Sequence, residues 1–367
     1  MLEDIAQLGE VVVVGYGSMK KESLSAAISN IESEDITTTK HTSLAASLQG
    51  KVSGLQIRQN TGQPGRFDTR INIRGFGSPL YVIDGVVRGN GSEFQRINPE
   101  DIESISVLKD AAAAIYGRRG GNGVIIVTTK RGQEGKPKFN YNSSVGFQSP
   151  TNVPRMANAF EYVTMVNRAR YFQGLGPAYD SATVASYEQG LPGYEGTNWY
   201  DATFKDYSLR QSHDFTASGG TERVKYFASL GYQQDGGLLK SNDLGYEKYT
   251  FRTNLTAQLT DNLSARVSVA GRYDMTEEPG SSFFGIFKQT RTSDPTVPVY
   301  ANNNPDYIGA VPPQNRNPVA FSERDISGYN EVVNKNLQSS IELTYEVPWV
   351  EGLQFKGLYS FDSNNRM

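Results

Sequence analysis

Lys248-Tyr249-Thr250-Phe251-Arg252-Thr253-Asn254-Leu255-Thr256-Ala257-Gln258-Leu259 alternates without a break. Tyr249, Phe251, Thr253, Leu255, Ala257 and Leu259 fall on one face of an extended chain, and Lys248, Thr250, Arg252, Asn254, Thr256 and Gln258 on the other. Successive side chains of a β-strand point to opposite faces, so this stretch reads as a strand with one apolar and one charged face. The same grammar holds on either side of it. Residues 224–235 set Val224, Tyr226, Ala228, Leu230 and Tyr232 against Lys225, Phe227, Ser229, Gly231 and Gln233, and residues 263–275 set Val267, Val269 and Tyr273 against Arg266, Arg272 and Asp274. Strands of soluble sandwiches average about five or six residues, whereas a strand tilted across a bilayer needs about 9 to 11. The length favours a membrane.

Four further stretches of this kind, at 138–147, 212–218, 334–347 and 353–361, bring the strands to seven. Their connections differ by side. Residues 219–223, 260–262 and 348–352 read as tight turns, while 148–211, 236–247 and 276–333 are long and rich in Gly, Pro, Asn and Tyr. Short turns on one side and long loops on the other mark an outer-membrane barrel with its short side periplasmic. An open sheet edge in hydrocarbon leaves unpaired backbone groups costing several kcal/mol each, so the sequence is expected to be a fragment or to be completed by something else. Spanning helices are excluded, since the longest unbroken apolar run is 111–116 and a spanning helix needs about 20 residues.

Upstream, residues 43–131 mix short apolar strands (55–58, 70–74, 80–83, 104–108, 123–130) with helical pieces, as an α+β domain does. Asn98-Pro99-Glu100-Asp101 is a helix start, with Asn as N-cap, Pro at the first helical position and acids facing the positive helix end. Residues 110–116 read as a short helix stopped by Gly117, after which Gly120, Gly121 and Gly123 turn the chain into an apolar strand. Farther upstream lies Glu10-Val11-Val12-Val13-Val14-Gly15-Tyr16-Gly17, four β-branched residues without alternation. It reads either as a buried strand or as a strand held for pairing with a partner's sheet edge.

Composition removes whole classes of function. The 36 Lys and Arg against 39 Asp and Glu give a net charge of -3, without long basic runs, which argues against nucleic-acid binding. The chain has no cysteine and only His41 and His213, so thiolate zinc sites, cysteine nucleophiles and paired-histidine metal motifs are excluded, and no enzyme, metal or cofactor is expected. Arg118-Arg119-Gly120-Gly121-Asn122-Gly123 lacks the Gly-Lys-Ser/Thr ending of a phosphate loop and reads as a turn. His213 and Asp214 are adjacent in a strand and point to opposite faces, so they are barrel residues and no triad fragment. The acidic start, Met1-Leu2-Glu3-Asp4-Ile5, carries no secretory signal, which is expected to have been removed or lost by truncation.

Several blocks in order, Glu10 to Gly17, Leu48-Gln49-Gly50-Lys51-Val52-Ser53-Gly54-Leu55, Ile73-Arg74-Gly75-Phe76-Gly77-Ser78, Pro79-Leu80-Tyr81-Val82-Ile83-Asp84-Gly85-Val86, and Asn98 to Ile105 through Lys109-Asp110-Ala111, resemble the plug of the SusC/RagA family of TonB-dependent outer-membrane transporters. Ser218-Gly219-Gly220-Thr221-Glu222-Arg223 with 226–232 resembles the first periplasmic hairpin of that family's barrel. The resemblance implies a fold of an α+β plug followed by antiparallel transmembrane β-barrel strands, the first of about 22 in the family. It divides the chain into a TonB box and linker at 1–42, a plug at 43–132 and the first seven barrel strands at 138–367.

By the same resemblance Glu10, Val11, Val12, Val13, Val14, Gly15, Tyr16 and Gly17 form the TonB box, and Arg74, Gly75, Asp84, Gly85, Asp101, Lys109, Asp110 and Gly117 are plug-motif residues. It implies import of a large nutrient, oligosaccharide first and peptide second, driven by TonB with its inner-membrane motor proteins and aided by a SusD-like lipoprotein lid, from an outer membrane whose lipid surrounds the barrel. The polar, Gly-rich loops 60–68 and 88–96 could face substrate through Gln63, Arg66, Phe67, Arg88 and Phe94, or be plain solvated loops. The rivals are a non-transporting surface receptor or adhesin, which leaves the plug blocks unexplained, and a signalling receptor, which calls for a further domain ahead of the TonB box.

Overall fold

The computed structural model describes residues 11–14, 17–20, 28–39, 41, 43–88, 91–312 and 316–367. Glu10, Gly15 and Tyr16 of the expected TonB box lie outside the described residues. The valines form β1 (Val11–Val14), paired antiparallel with β2 (Gly17–Lys20), so one edge of the strand is already occupied by its own chain.

The plug is a five-stranded sheet wrapped by short helices. In chain order its elements are β3 (Ile28–Glu32), α1 (Ser33–Thr37), α2 (Leu44–Ser47), a small side hairpin of β4 (Leu55–Arg58) and β5 (Arg70–Ile73), β6 (Leu80–Ile83), β7 (Val86–Arg88), α3 (Gly91–Gln95), β8 (Ile102–Leu108) and β9 (Val124–Thr129). The sheet runs β3-β8-β9-β6-β7, with β6 and β9 parallel and the other pairs antiparallel. Ile28–Glu32, which the sequence reading placed with the linker, is its edge strand. Ile31, Ile36, Leu44, Ile83, Phe94, Ile105 and Ile125 meet in a dry core. Asn98 caps the 3-10 turn Pro99–Asp101 as expected, its side chain accepting from Glu100 N at 3.1 Å. Residues Asp110–Gly120 form 3-10 helix rather than a short α-helix, and Gly117 (φ 59, ψ -148) kinks this stretch without ending it.

The second body is an antiparallel meander of β10 (Gly135–Gln148), β11 (Ser208–Gly220), β12 (Val224–Gly236), β13 (Gly245–Thr260), β14 (Leu263–Pro279), β15 (Tyr329–Glu346) and β16 (Gln354–Arg366), paired in sequence order. The strands of 13 to 18 residues exceed what a tilted crossing of a bilayer needs. Their burial inverts the rule for soluble proteins. Leu230 is 62% and Phe251 42% exposed, while Lys248 and Asn254 on the opposite face are 3% and 2% exposed against the plug. The apolar face therefore belongs to lipid and the charged face to the lumen.

On the lipid face His213, Tyr232, Tyr249 and Tyr273 occupy directly paired positions of four neighbouring strands, with ring centroids 6.2, 5.0 and 6.2 Å apart in turn. Tyr141, directly opposite Phe215 and diagonal to His213, extends the row, its hydroxyl 2.7 Å from His213 Nδ1. This is an aromatic girdle at the long-loop ends of the strands, where the hydrocarbon meets headgroups. The long connections are more ordered than loops rich in Gly and Asn suggest. They carry α4 (Ala159–Phe172), α5 (Ser181–Gln189), α6 (Trp199–Thr203), α7 (Phe283–Thr292), α8 (Pro318–Ser322) and α9 (Arg324–Ser327), of which α6, α7 and α8 pack on a small apolar cluster of Phe204, Leu239, Leu244 and Ile286.

Candidate functional site

The candidate site is the seam where the plug meets the charged face of the β10–β16 wall. Nearest the short turns, Asn254 donates to Thr129 Oγ1 at 2.9 Å and to the Lys130 carbonyl at 2.6 Å. One step farther out stands Arg252, its Nε 3.2 Å from Asp101 Oδ2, while Ser229 donates to Asp101 Oδ1 at 2.5 Å. Arg252 also lies 3.8 Å from Asp84. Asp84 adopts φ +48, a conformation costly for a residue with a Cβ. It is held there because its carboxylate accepts from Thr129 N at 3.0 Å and Thr129 Oγ1 at 2.8 Å, and Gly85 (φ +83) completes the turn.

In the next row Asn98 donates to Asp214 Oδ1 at 2.7 Å. Gly231 permits that reach, since a Cβ on it would stand 2.7 Å from Asn98 Nδ2 and 2.5 Å from Thr250 Oγ1. In the same register Arg272 grips Glu93 with two bonds of 2.8 and 3.2 Å and holds Asp274 at 2.6 Å, and in the register of Arg252 Asp362 is gripped by Arg88 at 2.8 and 3.0 Å. At the long-loop end Glu278 receives Gln63 at 2.8 Å and Arg66 at 3.1 and 3.0 Å. The seam is thus a ladder of charge pairs and amide bonds. Each rung replaces water on both partners and returns to water when broken, so its net contribution is modest compared with the strength of the bond itself.

The plug-motif residues fall into two groups. Asp84 and Asp101 face the wall at Arg252. Arg74, Lys109 and Asp110 sit together away from the wall, Arg74 paired with Asp110 at the plug surface and both at positive φ. Lys109 Nζ donates to Ser29 Oγ of β3 at 2.9 Å and to the Ser53 carbonyl, which ties the edge strand to the plug body. Burial pushes the Lys109 ammonium below its usual pKa, Arg74 adds to that, and Asp110 opposes it. Gly75 (φ +84) follows Arg74 in its turn.

Of the side chains considered for substrate, Gln63, Arg66 and Arg88 pair with the wall. Phe67 packs edge-on to Tyr246 at 5.3 Å with Arg96 above its ring at 4.5 Å. Phe94 requires correction: it is 0% exposed and stacks on Tyr81 at 4.8 Å, so it is a core residue, because α3 turns its apolar side inward. The sequence reading marked the polar faces of the strands but missed which members carry the seam: Asp214, Ser229, Arg252, Asn254, Arg272 and Glu278. His213 and Asp214 do diverge, His213 to the girdle and Asp214 to Asn98.

A plug braced by ion pairs against lipid-facing strands defines a plugged outer-membrane barrel receptor. Comparison with known proteins agrees. Residues 20–124 match the TonB-dependent receptor plug domain. The chain is 32% identical to TonB-dependent receptor P26 of Formosa agariphila over 100% of this chain and 36% of that protein, and 32% identical to TonB-dependent receptor SusC of Bacteroides thetaiotaomicron over 83% and 30%. Among solved structures it resembles the RagAB peptide importer in its open-open state, with a TM-score of 0.78 at 22% identity over 97% of this chain and 42% of that one. The chain belongs to the TonB-dependent receptors of the SusC/RagA type, β-barrel proteins of the outer membrane. It spans about a third of the length of the curated relatives it matches.

Proposed function

We propose that the protein of which this chain is the plug-bearing part imports a large nutrient, an oligosaccharide, across the bacterial outer membrane. Substrate is captured from outside under a SusD-like lipoprotein lid, and occupancy releases the TonB box. TonB then pairs with Val11 to Val14 by strand addition, and force from the inner-membrane motor proteins rearranges the plug. The observation that carries this reading is the seam: it joins the plug to the wall almost wholly through polar groups that water can solvate once they part. The β-prone valines, on the same chain as the plug's edge strand, supply a point of traction.

The proline test addresses the pairing. If TonB reads mainly backbone, β-prone replacements in 11–14 are tolerated, whereas Val13→Pro in the full-length receptor abolishes uptake by removing a donor. Wild-type uptake by that variant would overturn the assignment of the box. Offering labelled oligosaccharides and peptides in parallel decides the substrate class, since RagAB, which the chain resembles in fold, is a peptide importer.

A further inference from the structure

On the long-loop side, the connection from β14 to β15 encloses a cavity of about 550 Å³ between α7 and residues 311–321, a size usual for small-molecule sites. α7 has two faces. Phe283, Ile286 and Phe287 pack in the apolar cluster around Phe204, while Ser282, Gly285, Gln289 and Thr292, three or four residues apart, line the cavity. The opposite wall is fixed. Asn317 caps α8 and donates to the Val299 and Gly309 carbonyls at 2.8 and 3.1 Å, so that wall holds its shape and the cavity is preformed.

The chemistry of the lining is one-sided. Lys288 and Arg316, both solvent-exposed, line the cavity, and neither makes an ion pair with a described residue. No carboxylate stands among the described lining residues. The arginines of the seam are the contrast, since Arg66 and Arg272 each meet a glutamate. Gln289 accepts from Thr292 at 3.3 Å on its amide oxygen, which leaves its N–H groups to donate, and the Ser282 oxygen accepts from Gly285 N at 3.1 Å, which leaves its hydroxyl proton to donate. Ser293 Oγ is buried and has no hydrogen-bond partner. A buried hydroxyl without a partner is costly until something supplies the bond. Two free cations, amide and hydroxyl donors, and no acid to match them describe a receptacle for an oxyanion.

We propose that this cavity is a subsite for an acidic sugar, one bearing a carboxylate or a sulfate, and that the receptor selects charged oligosaccharides through it. The inference rests on the oligosaccharide reading above and adds the charge class of the cargo. Lys288 and Arg316 hold the oxyanion, the guanidinium with two parallel N–H bonds where the group is a planar carboxylate. Gln289, Ser282 and Ser293 donate to the remaining oxygens, and Val311 and Phe321 meet the apolar C–H face of the sugar ring. The subsite lies in the outer connections, so it meets cargo before the plug–wall seam does.

The test applies the purified full-length receptor to an array of glycans that carry neutral, carboxylated and sulfated sugars on matched backbones, with acidic peptides beside them. Acidic glycans are expected to be retained about tenfold or more above their neutral counterparts, and added salt should shrink that margin. Retention of the carboxylated set or of the sulfated set tells which oxyanion the pocket takes. Lys288→Gln with Arg316→Gln should bring acidic and neutral glycans level and leave neutral retention where it was. Both side chains are exposed, so the fold should survive the change. Equal retention of neutral and acidic glycans by the wild-type receptor overturns the proposal, as does failure to retain any acidic glycan. So does a preference that survives the double substitution, which would place the selection elsewhere in the receptor. Peptides retained in place of every glycan would fail the oligosaccharide reading itself, whatever the double substitution does.

Discussion

The plug core and the plug–wall seam are built from opposite chemistry. The core brings together isoleucine, leucine and phenylalanine side chains at near-zero exposure, with Phe94 stacked on Tyr81. The seam brings together Arg252 with Asp101, Arg272 with Glu93, and Asn98 with Asp214. Apolar burial is lost in full when its surfaces part in water, whereas a polar pair exchanges its partner for solvent. One region thus holds its shape under load, and the other is made to come apart.

The largest effect should come from breaking the core. Phe94→Ala removes a ring at the centre of the plug and should cost about 3–5 kcal/mol. Amide exchange in β8 and β9 of the assembled receptor should quicken accordingly, since those strands carry the core. A seam substitution should behave otherwise. Arg252→Ala leaves Asp101 without its cation and Asp84 with Arg131 alone, 3.9 Å away, a loss of about 3 kcal/mol, at the low end for a buried charge because Asp84 keeps that second partner. That loss should appear as easier unseating, seen as faster protease entry at the seam, with β8 and β9 exchange unchanged. Were Arg252→Ala to loosen β9 as much as Phe94→Ala does, the separation between core and seam would be wrong.

Legibility in the sequence divided along the same line. The wall was readable because period-two alternation over a dozen residues has no other explanation, and because the lipid face reports itself through tyrosines and leucines at every second position. The seam was half readable. Alternation shows that Arg252 and Arg272 face inward, but which carboxylate each meets depends on how plug turns such as the one at Asp84 are aimed, and that is set by contacts distant in sequence. The helices in the long connections were missed although α4 carries its own signal: Asn158 and Glu161 form a reciprocal capping box. Its weak apolar period and the surrounding Gly and Pro hid it. Phe94 was misread for a related reason, because a loop rich in polar residues gives no sign that one short turn of helix faces a core.

The smallest effect concerns the boundary between the two regions, at His41. Its pKa is lowered from 6.5 by burial first, then by Arg210 and Lys51. Asp214, Glu100 and Lys248 line the cavity between plug and wall that His41 also lines. The seated segment therefore favours the neutral ring. Its contribution is fully present above the unfolded value of 6.5 and is lost as pH falls below it toward the folded pKa. Acidification through that window should loosen the segment of β3 and α1 that leads to His41 before the rest of the plug, so amide exchange in β3 should rise relative to β9. His41→Gln, which cannot take up a proton there, should flatten the β3 response. A β3 response that persists in His41→Gln would assign the pH sensitivity to another group of the seam and remove His41 from the account of how this segment is held.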